Sequence, residues 1–464
     1  MPASRLLIPA LALSLLASAG HAQPFDGRVP PESAVAMKSS FAPIVRRTAP
    51  AVVNISAKRM VRQQTDPFWQ LFGLGVPQNR VAQSLGSGVI VRPDGIVVTN
   101  NHVVEGGQEI TVALNDRREF PARVLLADPR TDLAILKIDV GTERLPTLQL
   151  NETADTQVGD LVLAIGDPFG VGQTVTNGIV SALNRTTDPS GEAGSAYIQT
   201  DAAINPGNSG GALVDMDGEL IGVNSFILSR SGTSSGVGFA IPAAVVRRVV
   251  DTAVGGGQRV VRPWFGARTQ SVNSEMARSL GLALPQGAMV ADLWPGGAAS
   301  RAGLRQGDVV LQADGQRIVD APALSYLINT HKPGDSIPLL VRRANGKDET
   351  LTLRAEPPPA TPARDERTLS GRNPFDSATV VNLSPAVATE LGIDAFTGPG
   401  VLVTGIGGGL ARGAGLRPGD IVREVNGQKI GAVRDLAAAL SQASPVWRIT
   451  LERNGQTITG TFRS

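Results

Sequence analysis

The 464-residue chain contains no cysteine. That absence excludes disulfide staples, a thiolate nucleophile and any zinc site built on cysteine. Aromatic residues make up only 4% of the chain, against 53 glycines, a balance that suits strands and turns better than a helical bundle. An excess of one charge is also missing. Lysine and arginine number 43 and the acids 41, whereas a nucleic-acid partner calls for a clear basic surplus. Histidine is scarce, with three in the whole chain. Neither a metal-ligand cluster nor a phosphate loop stands in the sequence, so no cofactor and no use of ATP are expected. Apart from one stretch near the N-terminus, no run is apolar enough to cross a bilayer.

That stretch carries an address. Arg5 precedes an apolar run over residues 6–19, followed by Gly20-His21-Ala22 with small residues at both cleavage-determining positions. The run is shorter than the ~20 residues a spanning helix needs, so residues 1–22 read as a signal peptide cut after Ala22. The expected product is an exported protein with no transmembrane anchor. Residues 23–48 are expected to be a mobile lead-in.

The length allows about three domains, and 42% hydrophobic residues can furnish their cores. From residue 49 short β-type runs dominate: Ala51-Val52-Val53-Asn54-Ile55, Gly88-Val89-Ile90-Val91, Ile96-Val97-Val98-Thr99 and Leu133-Ala134-Ile135-Leu136-Lys137-Ile138. Gly, Asp, Asn and Pro separate them, the mark of an all-β barrel or sandwich. Residues 243–254 read as one amphipathic helix, and Gly255-Gly256-Gly257 as a joint. An internal repeat follows. Ala302-Gly303-Leu304-Arg305-Gln306-Gly307-Asp308 recurs as Ala414-Gly415-Leu416-Arg417-Pro418-Gly419-Asp420, and in each copy a strand, a Gly-Gln turn and a short helical stretch come next. The period is too long for a solenoid unit, so these are duplicated domains, placed at 260–356 and 371–464. The Pro- and charge-rich residues 357–370 read as a stiff spacer.

The chemistry starts from the histidines. His21 leaves with the signal peptide, and His331 lies in the first repeat without a counterpart in the second. His102 remains, in Val98-Thr99-Asn100-Asn101-His102-Val103-Val104 at the end of a strand. Asn205-Pro206-Gly207-Asn208-Ser209-Gly210-Gly211 has the make-up of a nucleophile turn. Its glycines let the backbone expose the serine and aim N–H groups at a developing oxyanion. A carboxylate must hold the imidazole in one tautomer. Asp132, directly before the strand 133–138, suits that role better than Asp128, whose Asp-Pro setting reads as a turn. Gly207-Asn208-Ser209-Gly210-Gly211 also fits the G-x-S-x-G elbow of α/β-hydrolases, but that fold needs its histidine after the serine. The order His102, Asp132, Ser209 is that of chymotrypsin-type barrels.

These segments resemble the signatures of the HtrA/Deg serine proteases, of which the chain is identified as a member. The likeness extends to Asp66-Pro67-Phe68-Trp69-Gln70-Leu71-Phe72, similar to an aromatic-rich regulatory loop, to Gly166-Asp167-Pro168-Phe169-Gly170 and to Gly238-Phe239-Ala240-Ile241-Pro242. The resemblance implies a mainly β protein: a chymotrypsin-like double β-barrel over residues 49–256, then two PDZ domains of α+β type. It implies a peptidase that digests unfolded proteins in periplasmic quality control and assembles from trimers. His102, Asp132 and Ser209 would be the triad, with the N–H groups of Gly207 and Ser209 holding the oxyanion. Ile204 and Ile227 would line an apolar slot for the residue before the scissile bond, and Ser225, Phe226, Ile227, Leu228 and Ser229 would pair with substrate backbone. Asn208 stands beside the nucleophile where many chymotrypsin-type enzymes have an aspartate that pairs with a new N-terminus. A neutral amide cannot make that ion pair, so loop ordering rather than propeptide removal is expected to switch the site on.

Trp264-Phe265-Gly266-Ala267 resembles the loop with which PDZ domains grip a peptide C-terminus, the peptide then adding as a strand. The second copy carries Phe375-Asp376-Ser377-Ala378 there, with Ser377 where the family usually has glycine. The first module is expected to bind C-terminal peptides and the second to serve assembly or regulation. Two other function classes remain open, a catalytically idle chaperone or scaffold and an esterase.

Overall fold

The computed structural model describes residues 40–62, 79–151, 156–167, 172–185, 197–205, 207–227, 236–442 and 444–463. The expected signal peptide, the aromatic-rich stretch 66–72 and residues 168–170 lie outside these. The chain divides into a first unit, residues 1–43, and a second, 44–464. In the first, the Ser40 hydroxyl accepts from the Ala42 N–H at 3.2 Å. The chain is helical over Ala42–Thr48, which corrects the expectation of mobility up to residue 48. Thr48 is fully buried, its hydroxyl bonded to the Ile44 carbonyl, and the Arg47 guanidinium donates to the Asp217 carbonyl.

β-Branched runs broken by turn residues then build two closed six-stranded antiparallel barrels. The first uses β1 (Val52–Arg62), β2 (Asn79–Arg92), β3 (Ile96–Asn100), β4 (Glu109–Ala113), β5 (Glu119–Asp128) and β6 (Leu133–Ile138) in the order β1-β2-β3-β6-β5-β4. Every residue of β3 is buried, so its apolar run reads as continuous rather than alternating. The second uses β7 (Leu161–Gly166), β8 (Thr174–Arg185), β9 (Tyr197–Thr200), β10 (Ala212–Val214), β11 (Leu220–Ile227) and β12 (Gly238–Pro242), ordered β10-β11-β12-β9-β8-β7. Val162, Ala164, Val180, Ile198, Ile204, Leu213 and Ala240 fill its centre.

The helix Ala243–Val254 follows β12 and buries Val246, Val249 and Val250. Its Arg248 is also buried and donates to the carbonyls of Asn329 and Val261, which ties the second barrel to the first repeat. Beside it, Arg262 forms an ion pair with Asp128 in which both side chains are largely shielded from water.

The first repeat is a sheet of β13 (Ala267–Ser271), β14 (Ala288–Leu293), β15 (Val309–Ala313), β17 (Ser336–Arg342) and β18 (Asp348–Arg354), with the short β16 (Gln316–Arg317) on β15 and the helix Ala321–Thr330 packed on it. The second repeat has β19 (Arg367–Thr368), β20 (Ala378–Asn382), β21 (Val401–Ile406), β22 (Ile421–Val425), β24 (Val446–Arg453) and β25 (Gln456–Arg463), with β23 (Gln428–Lys429) on β22 and the helix Val433–Leu440. The repeated Gly-Asp has one structural task in both copies. Asp308 and Asp420 are buried, accept the N–H of Arg305 and Arg417 at 2.7 and 2.8 Å, and pair with Arg343 and Arg453 at 2.6 Å each. The spacer expectation needs correction at its end: Arg367 and Thr368 form β19 on the edge of the second sheet.

Candidate active site

β3 and β6 are neighbours, with Asn100 opposite Leu133, so the residues just beyond each strand meet. His102 sits on the single-turn helix Asn101–Val104 that ends β3. Its Nδ1 lies 2.8 Å from Asp132 Oδ2 and 3.0 Å from Oδ1, and its backbone N–H donates to Oδ1 at 3.0 Å. The Asp132 carbonyl accepts from Asn101 N and Asn100 Nδ2, both at 3.0 Å. To do this Asp132 adopts φ 53°, a left-handed conformation that aspartate tolerates better than most residues. With Nδ1 engaged by the carboxylate, Nε2 is the free ring nitrogen, and it has no hydrogen-bond partner among the described residues. Asp128 is held elsewhere, by Arg262 and by the Thr131 hydroxyl at 2.6 Å.

Ser209 comes from the second barrel, on the turn before β10. Gly207 and Gly210 take φ 102° and 83°, and Gly210 has no room for a side chain, since a Cβ there would lie 2.2 Å from the Ser87 carbonyl oxygen. Ser87 on β2 joins the barrels at this point. It is fully buried. Its hydroxyl donates to the Gly207 carbonyl at 2.5 Å and accepts from the Asp167 N–H at 2.8 Å. Its own N–H donates to the Ser209 carbonyl at 2.8 Å, and its carbonyl accepts from the Thr99 hydroxyl at 2.7 Å. The N–H groups of Gly207 and Ser209 have no partner among the described residues, so both are available as donors.

The Ser209 hydroxyl donates to the Ser225 carbonyl at 3.0 Å, not to His102. Ser225 also donates its own hydroxyl to Asp132 Oδ2 at 2.9 Å. One residue thus links Ser209 and Asp132. Asp167, next to the Ser87 hydroxyl, is buried with Oδ1 unpartnered. Burial pushes its carboxyl up from the ordinary value, against the opposing pull of the Gly172 N–H.

The comparisons with known proteins now have a geometry to meet. Residues 86–223 match the model of the trypsin-like peptidase domain, and residues 263–355 and 402–453 match PDZ domain models. A protein of Halomonas elongata named "Probable periplasmic serine endoprotease DegP-like" is 40% identical over 437 residues, covering 89% of this chain and 90% of that protein. This chain belongs to the DegP-like, HtrA-type family of serine endoproteases. A relative of the same name from a Marinomonas species is 39% identical over 420 residues, covering 86% and 87% of the two chains. Among solved structures, "HtrA-type protease AlgW with decapeptide" is 42% identical at TM-score 0.52, covering 69% of this chain and 99% of that one. The same protease with tripeptide stands at 42% and TM-score 0.53, covering 70% and 99%.

For this DegP-like endoprotease the remaining expected site residues sort by position. Ile204 is 1% exposed within the core of the second barrel, with Gly238 against it, so core packing claims a residue expected to wall an open slot. Asn208 is buried with its Nδ2 unpartnered. Phe226 joins Tyr197 and Phe239 in an aromatic cluster, with ring centroids 5.0 and 4.9 Å away. The backbone of Ile227 pairs with Gly238, while its side chain, Leu228, Ser229 and Pro206 lie outside the described residues. In the first PDZ domain the Trp264 N–H donates to Glu356, and the Gly266 carbonyl accepts from Trp294 at 2.9 Å. Gly266 takes φ 72°. Ser87 escaped sequence reading because a serine between two glycines inside a strand advertises nothing. The bond from Ser225 to Asp132 spans 93 positions, so no local pattern signals it.

Proposed function

We propose that this endoprotease degrades unfolded proteins in the periplasm by an acyl-enzyme mechanism with His102, Asp132 and Ser209 as its triad. The observation that carries this reading is the doubly bonded His102–Asp132 pair, which leaves Nε2 without a partner among the described residues, while Ser225 bonds both Asp132 and Ser209. For the reaction the Ser209 hydroxyl leaves the Ser225 carbonyl for His102 Nε2, which removes its proton as Oγ attacks the substrate carbonyl. The imidazolium, stabilised by Asp132, then protonates the departing amine. The N–H groups of Gly207 and Ser209 stabilise the tetrahedral oxyanion, and water repeats the sequence on the acyl-enzyme. Resting with its hydroxyl on a backbone carbonyl, the site waits for a rearrangement of the loop, in keeping with an Asn208 that cannot be locked by a new N-terminus. Substrates are unfolded chains, and the first PDZ domain captures peptide C-termini at β13. Signal-peptide cleavage after Ala22 delivers the protein, which works as a trimer-based oligomer. Unfolded casein incubated with wild type and with Ser209→Ala tests the core of this reading. The variant should fold normally and lose roughly 10⁴–10⁶ in kcat. Casein cleavage that survives in purified Ser209→Ala refutes it.

A further inference from the structure

A peptide that binds by strand addition needs an open sheet edge, and the two PDZ sheets differ at that edge. In the first, β13 is the outermost strand. In the second, β20 holds the equivalent place. It follows Phe375-Asp376-Ser377-Ala378, and Ser377 at φ 68° matches Gly266 at φ 72°. Each carbonyl accepts one cross-strand N–H, from Gly407 at 2.8 Å and from Trp294 at 2.9 Å. Yet β20 is not outermost, because β19 lies beyond it.

We propose that residues 363–369 are a built-in occupant of the second PDZ domain's peptide slot, and that this module takes no peptide C-terminus in the folded chain. The segment runs antiparallel to β20 along its whole length. Asn382 donates from its backbone N–H to the Arg364 carbonyl at 2.8 Å and from Nδ2 to the Ala363 carbonyl at 2.6 Å. Arg367 faces Val380 and Thr368 faces Thr379. The Leu369 N–H donates to the Ala378 carbonyl, and the Ser377 N–H donates back to the Leu369 carbonyl, both at 2.8 Å. The loop amide that would grip a terminal carboxylate is therefore spent on an internal carbonyl. The Leu369 side chain is 9% exposed and packs in one core with Phe375, Val433 and Leu436, as the last side chain of a bound peptide would. Past Leu369 the chain turns back at Gly371, φ 117°, whose N–H is held by Asp376 Oδ1 at 3.1 Å.

Asp376 is a second, independent obstacle. It occupies the place of Phe265, since the Ala411 N–H donates to its carbonyl as the Ala299 N–H donates to that of Phe265. A carboxylate in the loop repels an incoming carboxylate. The tethered segment also competes at an effective concentration on the order of millimolar, so a free peptide of equal micromolar affinity is weakened about a thousandfold.

The test is calorimetric peptide stoichiometry on the full chain, carrying Ser209→Ala to spare the probe. The probe is the decapeptide of residues 360–369 with a free carboxylate. The quantity read is the increment over the parent, which holds whether or not the first PDZ domain binds. Leu369→Asp with Asp376→Phe opens the slot and should add one site per chain. The pair Thr368→Cys and Thr379→Cys replaces hydroxyls 3.1 Å apart in a chain without other thiols, and should form a disulfide when diamide is added as the oxidant, with stoichiometry unchanged. Loss of a binding site on cross-linking, failure to cross-link, or a folded release variant that gains no site overturns the proposal. If the release variant loses the second domain's fold by circular dichroism, the cross-linked protein alone decides: unchanged stoichiometry upholds the proposal and a lost site overturns it.

Discussion

Replacing Ser87 by alanine removes one buried hydroxyl outside the proposed triad, and it should slow the enzyme. The hydroxyl makes two bonds, to the Gly207 carbonyl and from the Asp167 N–H, in a spot that water does not reach. Two lost bonds with buried partners left bare cost about 2–4 kcal/mol, which at ~2–4 °C per kcal/mol lowers the melting midpoint by roughly 5–15 °C. The kinetic effect is separate. The Gly207 carbonyl and its open N–H belong to one short turn, so freeing the carbonyl lets the donor drift. Full loss of one oxyanion donor costs about 10²–10³ in kcat, and partial misplacement about ten- to a hundredfold. Because the bond to the oxyanion exists only in the transition state, the loss falls on kcat and leaves KM alone. The assay is steady-state cleavage of a chromogenic peptide well below the melting midpoint, alongside the affinity of a peptide boronic acid that forms a tetrahedral adduct. Boronate affinity should fall with kcat while product-peptide affinity holds. A kcat within twofold of wild type, with the midpoint lowered, refutes a positioning role and leaves Ser87 purely structural.

Ser225→Ala removes the hydroxyl on Asp132 but keeps the carbonyl that receives Ser209. With both bonds from His102 retained, kcat should fall only about three- to tenfold, less than the full worth of a charge-assisted bond, and an unchanged kcat would show the contact to be idle. Asp128→Ala strips Arg262 of its shielded partner beside the buried Arg248. Breaking such a pair costs about 3–5 kcal/mol, which a thermal melt reads directly, and an unmoved midpoint contradicts the account. Asp167→Asn tests pH linkage. Burial raises the carboxyl's folded pKa above its unfolded value. Wild type therefore loses stability as pH climbs through the window between the two, and keeps the full contribution below the unfolded value. On a Ser209→Ala background the variant should melt higher at pH 7, and the gain should vanish as pH falls to the ordinary carboxylate range. A gain that persists in acid argues against a titration origin.

Much of the fold was open to reading because its signals are local. The helix over residues 243–254 stands where its amphipathic pattern puts it, a short helix follows the Gly-Gln turn in each repeat, and the β-rich runs became barrel strands. Two local readings failed for a shared reason. The lead-in is helical from Ala42, and the spacer ends as β19, because both segments find partners remote in sequence that composition cannot register. Arg364 sits among Pro362, Asp365 and Glu366, yet Asn382 and Ser377 donate to the Ala363, Arg364 and Leu369 carbonyls on either side of β19 and hold the stretch against β20.

The sequence by itself carried the signs of the chemistry: a histidine outside the signal peptide and the repeats, an aspartate opening a strand and a serine among glycines, in the chain order of chymotrypsin-type barrels. It also showed the duplication, through a Leu-Arg-x-Gly-Asp turn that recurs in both copies. Tertiary structure alone decided that the serine rests on the Ser225 carbonyl, that Ser87 clasps the nucleophile turn from the other barrel, and that one peptide slot is open while its duplicate is filled. Each of these is a hydrogen bond between groups that chain order keeps apart. Such bonds are won or lost on ångström distances, which a string of residues does not carry.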